Sequence, residues 1–322
     1  MQTLNRRSFI ETTAKASAAA ATVLTGLPHA QAAEAKRYKM TINLTCGSIG
    51  VQARTQADVN NLAAKHGFDS VEARGTELAA MSQAQVDDLL GDMKQKGIVF
   101  GQSGLPVNFK GDEADFKEGM KGFPKFAGGI QRAGVSRVTT WISPGSRSLT
   151  YMQNLKQHAS RLREVGKVLN DHGQRLGLEY IGTHTLLIRN KYPFGHTMAE
   201  TKDLIAEIGT GNVGFVMDSW HWWQAKDTVE DILTLTNNDI IAADLNDAPT
   251  GRKHEEQMDN QRELPLATGV IDAKSFLNAM NKVGFDGPVR AEPFNAPLRS
   301  MGNDAACAAT VKAMKKTFAL IT

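Results

Sequence analysis

Cysteine is scarce in this chain: Cys46 and Cys307 are the only two among 322 residues, far apart and without the close spacing of a metal site. That argues against a disulfide framework, and both are read as buried free thiols. An excess of charge of one sign is also lacking. Thirty-seven Lys and Arg stand against thirty-four Asp and Glu, a net charge of +3, with no basic block after residue 40. A protein that tracks phosphates concentrates its cations on one face, so there is no electrostatic case for nucleic acid. No stretch beyond the amino-terminus approaches the roughly 18 apolar residues of a membrane-spanning helix, so no membrane span is expected. There is no linker or low-complexity spacer, and Cys46-Gly47-Ser48-Ile49-Gly50 lacks the glycine spacing of a dinucleotide loop.

What is there begins with an address. Asn5-Arg6-Arg7-Ser8-Phe9-Ile10 sets two arginines before an apolar pair, an alanine-rich stretch runs from Ala16 to Leu27, and Ala30-Gln31-Ala32 fits a small-residue cleavage site. This pattern resembles a twin-arginine export signal over residues 1–33, which implies a periplasmic mature protein over 34–322.

From Lys39 onward, short β-rich runs alternate with longer helical patterns. Strands are expected over Met40–Thr45, Phe68–Glu72, Ile98–Gly101, Ser136–Ile142, Arg175–Tyr180, Val213–Asp218, Ile240–Leu245 and Val289–Glu292. The intervening segments carry helical spacing, with the region from Asp112 to Ala133 expected to be interrupted around Gly122 and Pro124. Alternating β and α order demands a parallel sheet with crossover helices. Eight units over this length predict an α/β fold, a single closed (β/α)8 TIM barrel. A doubly wound open sheet is the alternative.

In such a barrel the carboxyl ends of the strands converge on one mouth. Acidic residues end five of the expected strands: Glu72, Glu179, Asp218, Asp244 and Glu292. The last four lie on consecutive strands, and four converging carboxylates repel unless a cation or shared protons neutralise them. A divalent metal is the economical answer, with Glu179, Asp218, Asp244 and Glu292 as candidate ligands. His184 and His221 lie just beyond their strands. Each residue also has a bland reading; Asp218, for one, could simply cap the turn that follows it.

Glu179, Asp218 with His221, and Glu292 within Val289-Arg290-Ala291-Glu292-Pro293-Phe294-Asn295 resemble the metal site of the xylose isomerase-like barrel superfamily. Its members include tagatose/psicose-type epimerases, hydroxypyruvate isomerases, inosose dehydratases and endonuclease-four-like proteins. Arg262-Glu263-Leu264-Pro265 and Gly269-Val270-Ile271-Asp272 are similar to the loop before the family's last strand. The family usually has His-Leu-Xaa-Asp on the seventh strand, where this chain reads Asp244-Leu245-Asn246-Asp247. An all-carboxylate ligand set favours Mn²⁺ or Mg²⁺, with Co²⁺ or Zn²⁺ as other candidates.

The resemblance implies a sugar isomerase or epimerase that transfers a proton beside a carbonyl through a metal-stabilised enediolate. Glu179 and Glu292 would be its acid–base pair. His221, Arg262, His184 and Glu72 would bind a small-molecule sugar. Trp220, Trp222 and Trp223 are read either as an apolar wall for the sugar or as core. A dehydratase or hydratase could use the same apparatus, and a non-catalytic sugar-binding barrel is the reading outside enzymology. The resemblance leaves room for a homo-oligomer.

Overall fold

The computed structural model describes residues 37–322, so the export signal expected over residues 1–33 lies outside the described residues. Eight parallel strands run in the expected order: β1 (Thr41–Leu44), β2 (Ser70–Ala73), β3 (Val99–Gly104), β4 (Arg137–Trp141), β5 (Arg175–Glu179), β6 (Val213–Asp218), β7 (Ile240–Leu245) and β8 (Pro288–Ala291). Each pairs with its sequence neighbours, and β1 closes the ring against β8 through Ile42 opposite Val289. The closed barrel is the α/β fold that the alternation demands, not the open sheet.

Crossover helices follow each strand: α1 (Gln56–His66), α2 (Gln83–Lys96), α3 (Glu113–Arg132), α4 (Tyr151–Asp171), α5 (Met198–Ile208), α6 (Val229–Leu233), α7 (Ala273–Lys282) and α8 (Asn303–Phe318). Their starts are encoded locally. The Thr55 hydroxyl accepts from the Asp58 amide while the Asp58 carboxylate accepts from the Thr55 amide, a capping box, and Ser82 with Gln85 repeats it. One expectation fails here. α3 runs through Pro124 without a break, because Phe116, Phe123, Phe126, Ala127 and Ile130 hold one buried stripe against the barrel.

Short helices occupy the carboxyl-terminal loops at Gly75–Ala80, His184–Leu187, Ser219–Ala225 and Ala296–Arg299. Among the described residues no helix is long and apolar enough to cross a membrane. Both cysteines are free; Cys307 is buried, whereas Cys46, also expected inside, is only partly so.

Candidate active site

The sixth strand delivers the centre of the site. Val213–Asp218 is apolar and buried until Asp218, where the chain turns at once into the helix Ser219–Ala225. Asp218 Oδ1 accepts from the Trp220 amide at 2.7 Å, so it does cap that turn, and it also accepts from Asn246 Nδ2 at 2.8 Å. One helical turn on, His221 is carried back over the strand ends. The chain after β5 packs against that helix at Gly182, where an added Cβ would lie 2.9 Å from the Ala225 amide nitrogen. Only glycine permits that approach.

The loop after β7 brings in Arg262. Asp247 holds it by accepting from the amides of Ala248, Thr268, Gly269 and Ile271, at 2.7–3.0 Å, and pairs antiparallel with Glu263 through the backbone. Arg262 is thereby buried between two aromatic rings, its guanidinium carbon 5.2 Å from the Trp220 centroid and 5.0 Å from that of Phe294. It donates to Asp218 Oδ2 (2.8 Å), Asp259 Oδ1 (2.7 Å), Glu292 Oε2 (3.3 Å) and His221 Nε2 (3.2 Å).

Glu179, Asp218, Asp244 and Glu292 meet as expected: an oxygen of each lies within 4.8 Å of the others, and all four are buried. Asp244, however, spends both oxygens on Arg290, from which it accepts at 2.5 and 2.8 Å. Arg290 also approaches Glu292 Oε1 at 3.2 Å. Glu179 Oε1 is buried with no hydrogen-bond partner. His221 reaches the same cluster, 3.7 Å from Glu179 and 3.8 Å from Asp218.

The electrostatics follow from this geometry. Burial, reinforced by Glu292, Asp244 and Asp218, pushes the Glu179 carboxyl well above the ordinary range. Burial likewise raises Glu292 to about 7, with Arg290 pulling against it. Burial would raise Asp218 too, but Arg262 and then His221 overcome it and hold that carboxylate low. Burial drives His221 down to about 4, which fits a neutral ring whose Nε2 accepts from Arg262.

With Asp259 also on Arg262, five carboxyls face two guanidiniums, so the cluster is balanced only by bound protons or a cation. The orphaned Glu179 oxygen is the kind of buried acceptor that a divalent cation would satisfy. The donor set, hard oxygen throughout apart from His221, fits such an ion.

A cavity of about 310 Å³ opens above the cluster, floored by Glu179, Glu292, His221 and Arg262 and walled by Trp141, Ile181 and Phe294. The aromatic wall is therefore not the tryptophan run after Asp218. Trp220 and Trp222 are core, Trp222 packing on Phe276, and the half-buried Trp223 meets His254 edge-on. Trp141 fell inside the strand expected over Ser136–Ile142 and carried no role there; it ends the observed strand, and Lys110 Nζ lies over its ring at 3.2 Å while donating to its carbonyl.

Asp259 and Arg290 were also missed. Asp259 has no strand to announce it, and Arg290 sits in a quoted motif without a role. Two expected residues lie apart. His184 is exposed and its Nδ1 lies 3.3 Å from the Glu255 carbonyl, outside the cavity lining. Glu72 lines a separate cavity with Arg74 and Glu77, although Arg290 and Asp244 influence its carboxyl, which burial raises.

Comparison with known proteins adds context to this geometry. The family described as xylose isomerase-like TIM barrel matches residues 61–317. An inosose isomerase of Bacillus velezensis is 23% identical over 264 residues, 80% of this chain and 88% of that protein. The structure of a xylose isomerase domain protein from Alicyclobacillus acidocaldarius superposes with a TM-score of 0.76 at 27% identity, covering 87% of this chain and 99% of that one. A zinc-binding IolI protein superposes at 0.72 with 19% identity, over 88% and 99% of the two chains, a likeness of fold.

Proposed function

Because the chain belongs to the xylose isomerase-like TIM barrel family, we propose that it is an isomerase or epimerase of a keto sugar or cyclic polyol ketone. The observation that carries this reading is the pair of buried carboxyls Glu179 and Glu292 on the cavity floor, both raised and Glu292 to about 7. Two buried carboxyls on one cavity floor, both raised toward holding a proton, supply one acid and one base. The inosose isomerase relative supports a polyhydroxy ketone as the substrate class.

A divalent cation held by Glu179, Asp218 and Glu292 would stabilise negative charge as it develops on the substrate's carbonyl oxygen. The protein's own groups do the rest. Glu292 removes the proton from the carbon beside the carbonyl. Glu179, through the oxygen turned away from the cation, gives a proton to the opposite face or the neighbouring carbon. His221, neutral, and Arg262, fully charged, orient hydroxyls, while Trp141 and Phe294 cover the ring and exclude water. The same proposal puts this reaction outside the cytoplasm, on the resemblance of residues 1–33 to a twin-arginine export signal, and cell fractionation checks it.

The test is solvent exchange. Ketoses and inososes are incubated with the mature protein and Mn²⁺ in D₂O, and deuterium at the carbon beside the carbonyl is followed by NMR. Exchange with wild type and none with Glu292→Gln supports the reading; no exchange with any polyhydroxy ketone sinks it. A product absorbing in the near ultraviolet would instead mark water elimination by the same carboxyls.

A further inference from the structure

Asp244 and Arg290 are register partners on the neighbouring strands β7 and β8. Arg290 Nε donates to Asp244 Oδ1 at 2.5 Å and Nη2 to Oδ2 at 2.8 Å, so the guanidinium takes both carboxylate oxygens side-on. The Asp244 side chain has no exposed surface and that of Arg290 only 13%. The remaining reach of Nη2, 3.2 Å to Glu292 Oε1, ties the pair to a catalytic candidate. The contrast with Glu179 is direct, since its Oε1 is buried and unpartnered in the same cluster.

We infer that Asp244 and Arg290 work as one neutral unit standing where a fourth ligand would be. A cation is then held by Glu179, Asp218 and Glu292, and Arg290 is a positioning residue for Glu292. The inference rests on the cation reading above. Asp218 meets its arginine through a single oxygen, whereas Asp244 is held side-on through both, so an ion on Asp244 would sit directly against the Arg290 guanidinium. A fixed positive charge beside Glu292 also repels an incoming dication, so Arg290 weakens the site rather than completing it. The result is an oxygen-ligated centre that binds Mn²⁺ or Mg²⁺ loosely and exchanges it readily.

Mn²⁺ titration followed by the electron paramagnetic resonance signal of the free ion tests this without reference to activity. Wild type is compared with Asp244→Leu/Arg290→Met, which replaces the pair with apolar groups of similar bulk, and with Arg290→Met, which frees Asp244. The expected results are affinity within a few-fold of wild type for the double variant, and affinity at least about tenfold tighter for Arg290→Met. Loss of binding in a double variant that keeps the wild-type circular dichroism would make Asp244 a ligand and overturn the inference. If the double variant does not fold, Arg290→Met decides alone, and affinity equal to or weaker than wild type overturns it. Binding by Arg290→Met but not by wild type would reject the cation reading of the native site while upholding the pair as its block. Binding by neither would reject both.

Discussion

Asp218 and Arg262 lie 2.8 Å apart with almost no surface exposed on either, one at a strand end and the other on a loop forty-four residues later. The contact joins the rigid sheet to the longest loop of the mouth. Because both charges are out of water, the pair is costly to break from one side. Arg262→Met should destabilise the protein by about 3–5 kcal/mol, since Asp218 is left buried and unpaired. Arg262→Lys should recover little, because an ammonium cannot span Asp218, Asp259 and Glu292 together. Urea denaturation of both variants measures this, and full recovery by lysine would contradict it.

Glu179→Gln and Glu292→Gln keep the shape of the carboxyls and remove their titration. Each should lower turnover by about 10²–10⁴-fold, the range for a lost general acid or base. Stability should stay level or rise, because each change deletes a charge that its buried neighbours repel. Turnover measured beside a thermal melt checks both halves; unchanged turnover with a lowered melting temperature would assign the two residues to structure.

Glu292 makes a signed prediction about pH. Its carboxyl titrates at about 7 in the fold against an ordinary 4.5. Between those values the native chain holds a proton that the unfolded chain has lost, so stability falls as pH rises through the window and stays lower above it. His221, held at about 4, acts oppositely: unfolded histidine takes up its proton near 6.5 while the folded ring does not, so stability falls as pH drops from there toward 4. The two slopes oppose each other between 4.5 and 6.5, and the clean observable is a difference. Glu292→Gln should match wild type at pH 4.5 and become progressively more stable than it up to pH 7.5, in cation-free buffer, at up to about 1.4 kcal/mol per pH unit. Mn²⁺ should shrink that advantage, because it stabilises the ionised wild-type carboxylate and has less to bind in the variant.

Trp141 should behave as a substrate contact and little else. It is 49% exposed, ends β4 beside Glu179 in register, and walls the cavity. Trp141→Ala is expected to raise KM by about 3–10-fold, the worth of one ring stacked on a sugar face, with kcat and melting temperature nearly unchanged. A large loss of stability would make the ring a packing element.

The sequence carried the strands best where both faces are buried. Val213–Asp218 and Ile240–Leu245 are observed with the expected bounds, because an unbroken apolar run leaves no choice of element and the acidic residues mark the strand ends or lie beside them. The carboxylate quartet followed from topology alone. Its charge balance did not. Arg290 and Arg262 compensate it through contacts 46 and 44 residues apart in sequence, and no local pattern says which arginine turns inward. The loops were least legible: Trp141 becomes the wall because it ends a strand at the mouth, while Trp220 and Trp222 look the part and go inside. Phe294, which lies over Arg262, has a positive φ of 42°, a conformation that no apolar pattern announces.

The one misread helix yields the last prediction. Pro124 reads as a break in α3, yet the helix continues from Glu113 to Arg132 with the proline on its exposed side. Proline has no amide hydrogen to donate, so the Met120 carbonyl one turn earlier loses its helical partner, and the ring crowds that carbonyl. The apolar stripe from Phe116 to Ile130 overrides this cost through packing. The cost is nonetheless still present in the native state. Pro124→Ala should restore the hydrogen bond, touch nothing in the core, and raise stability by about 1–3 kcal/mol. Its activity should be that of wild type, since α3 lies on the outside of the barrel. A thermal melt checks the gain, and slowed hydrogen exchange at the backbone amide that the substitution creates would locate it; a melting temperature that falls would mean that the proline shapes a bend on which the packing of Phe123 and Phe126 depends.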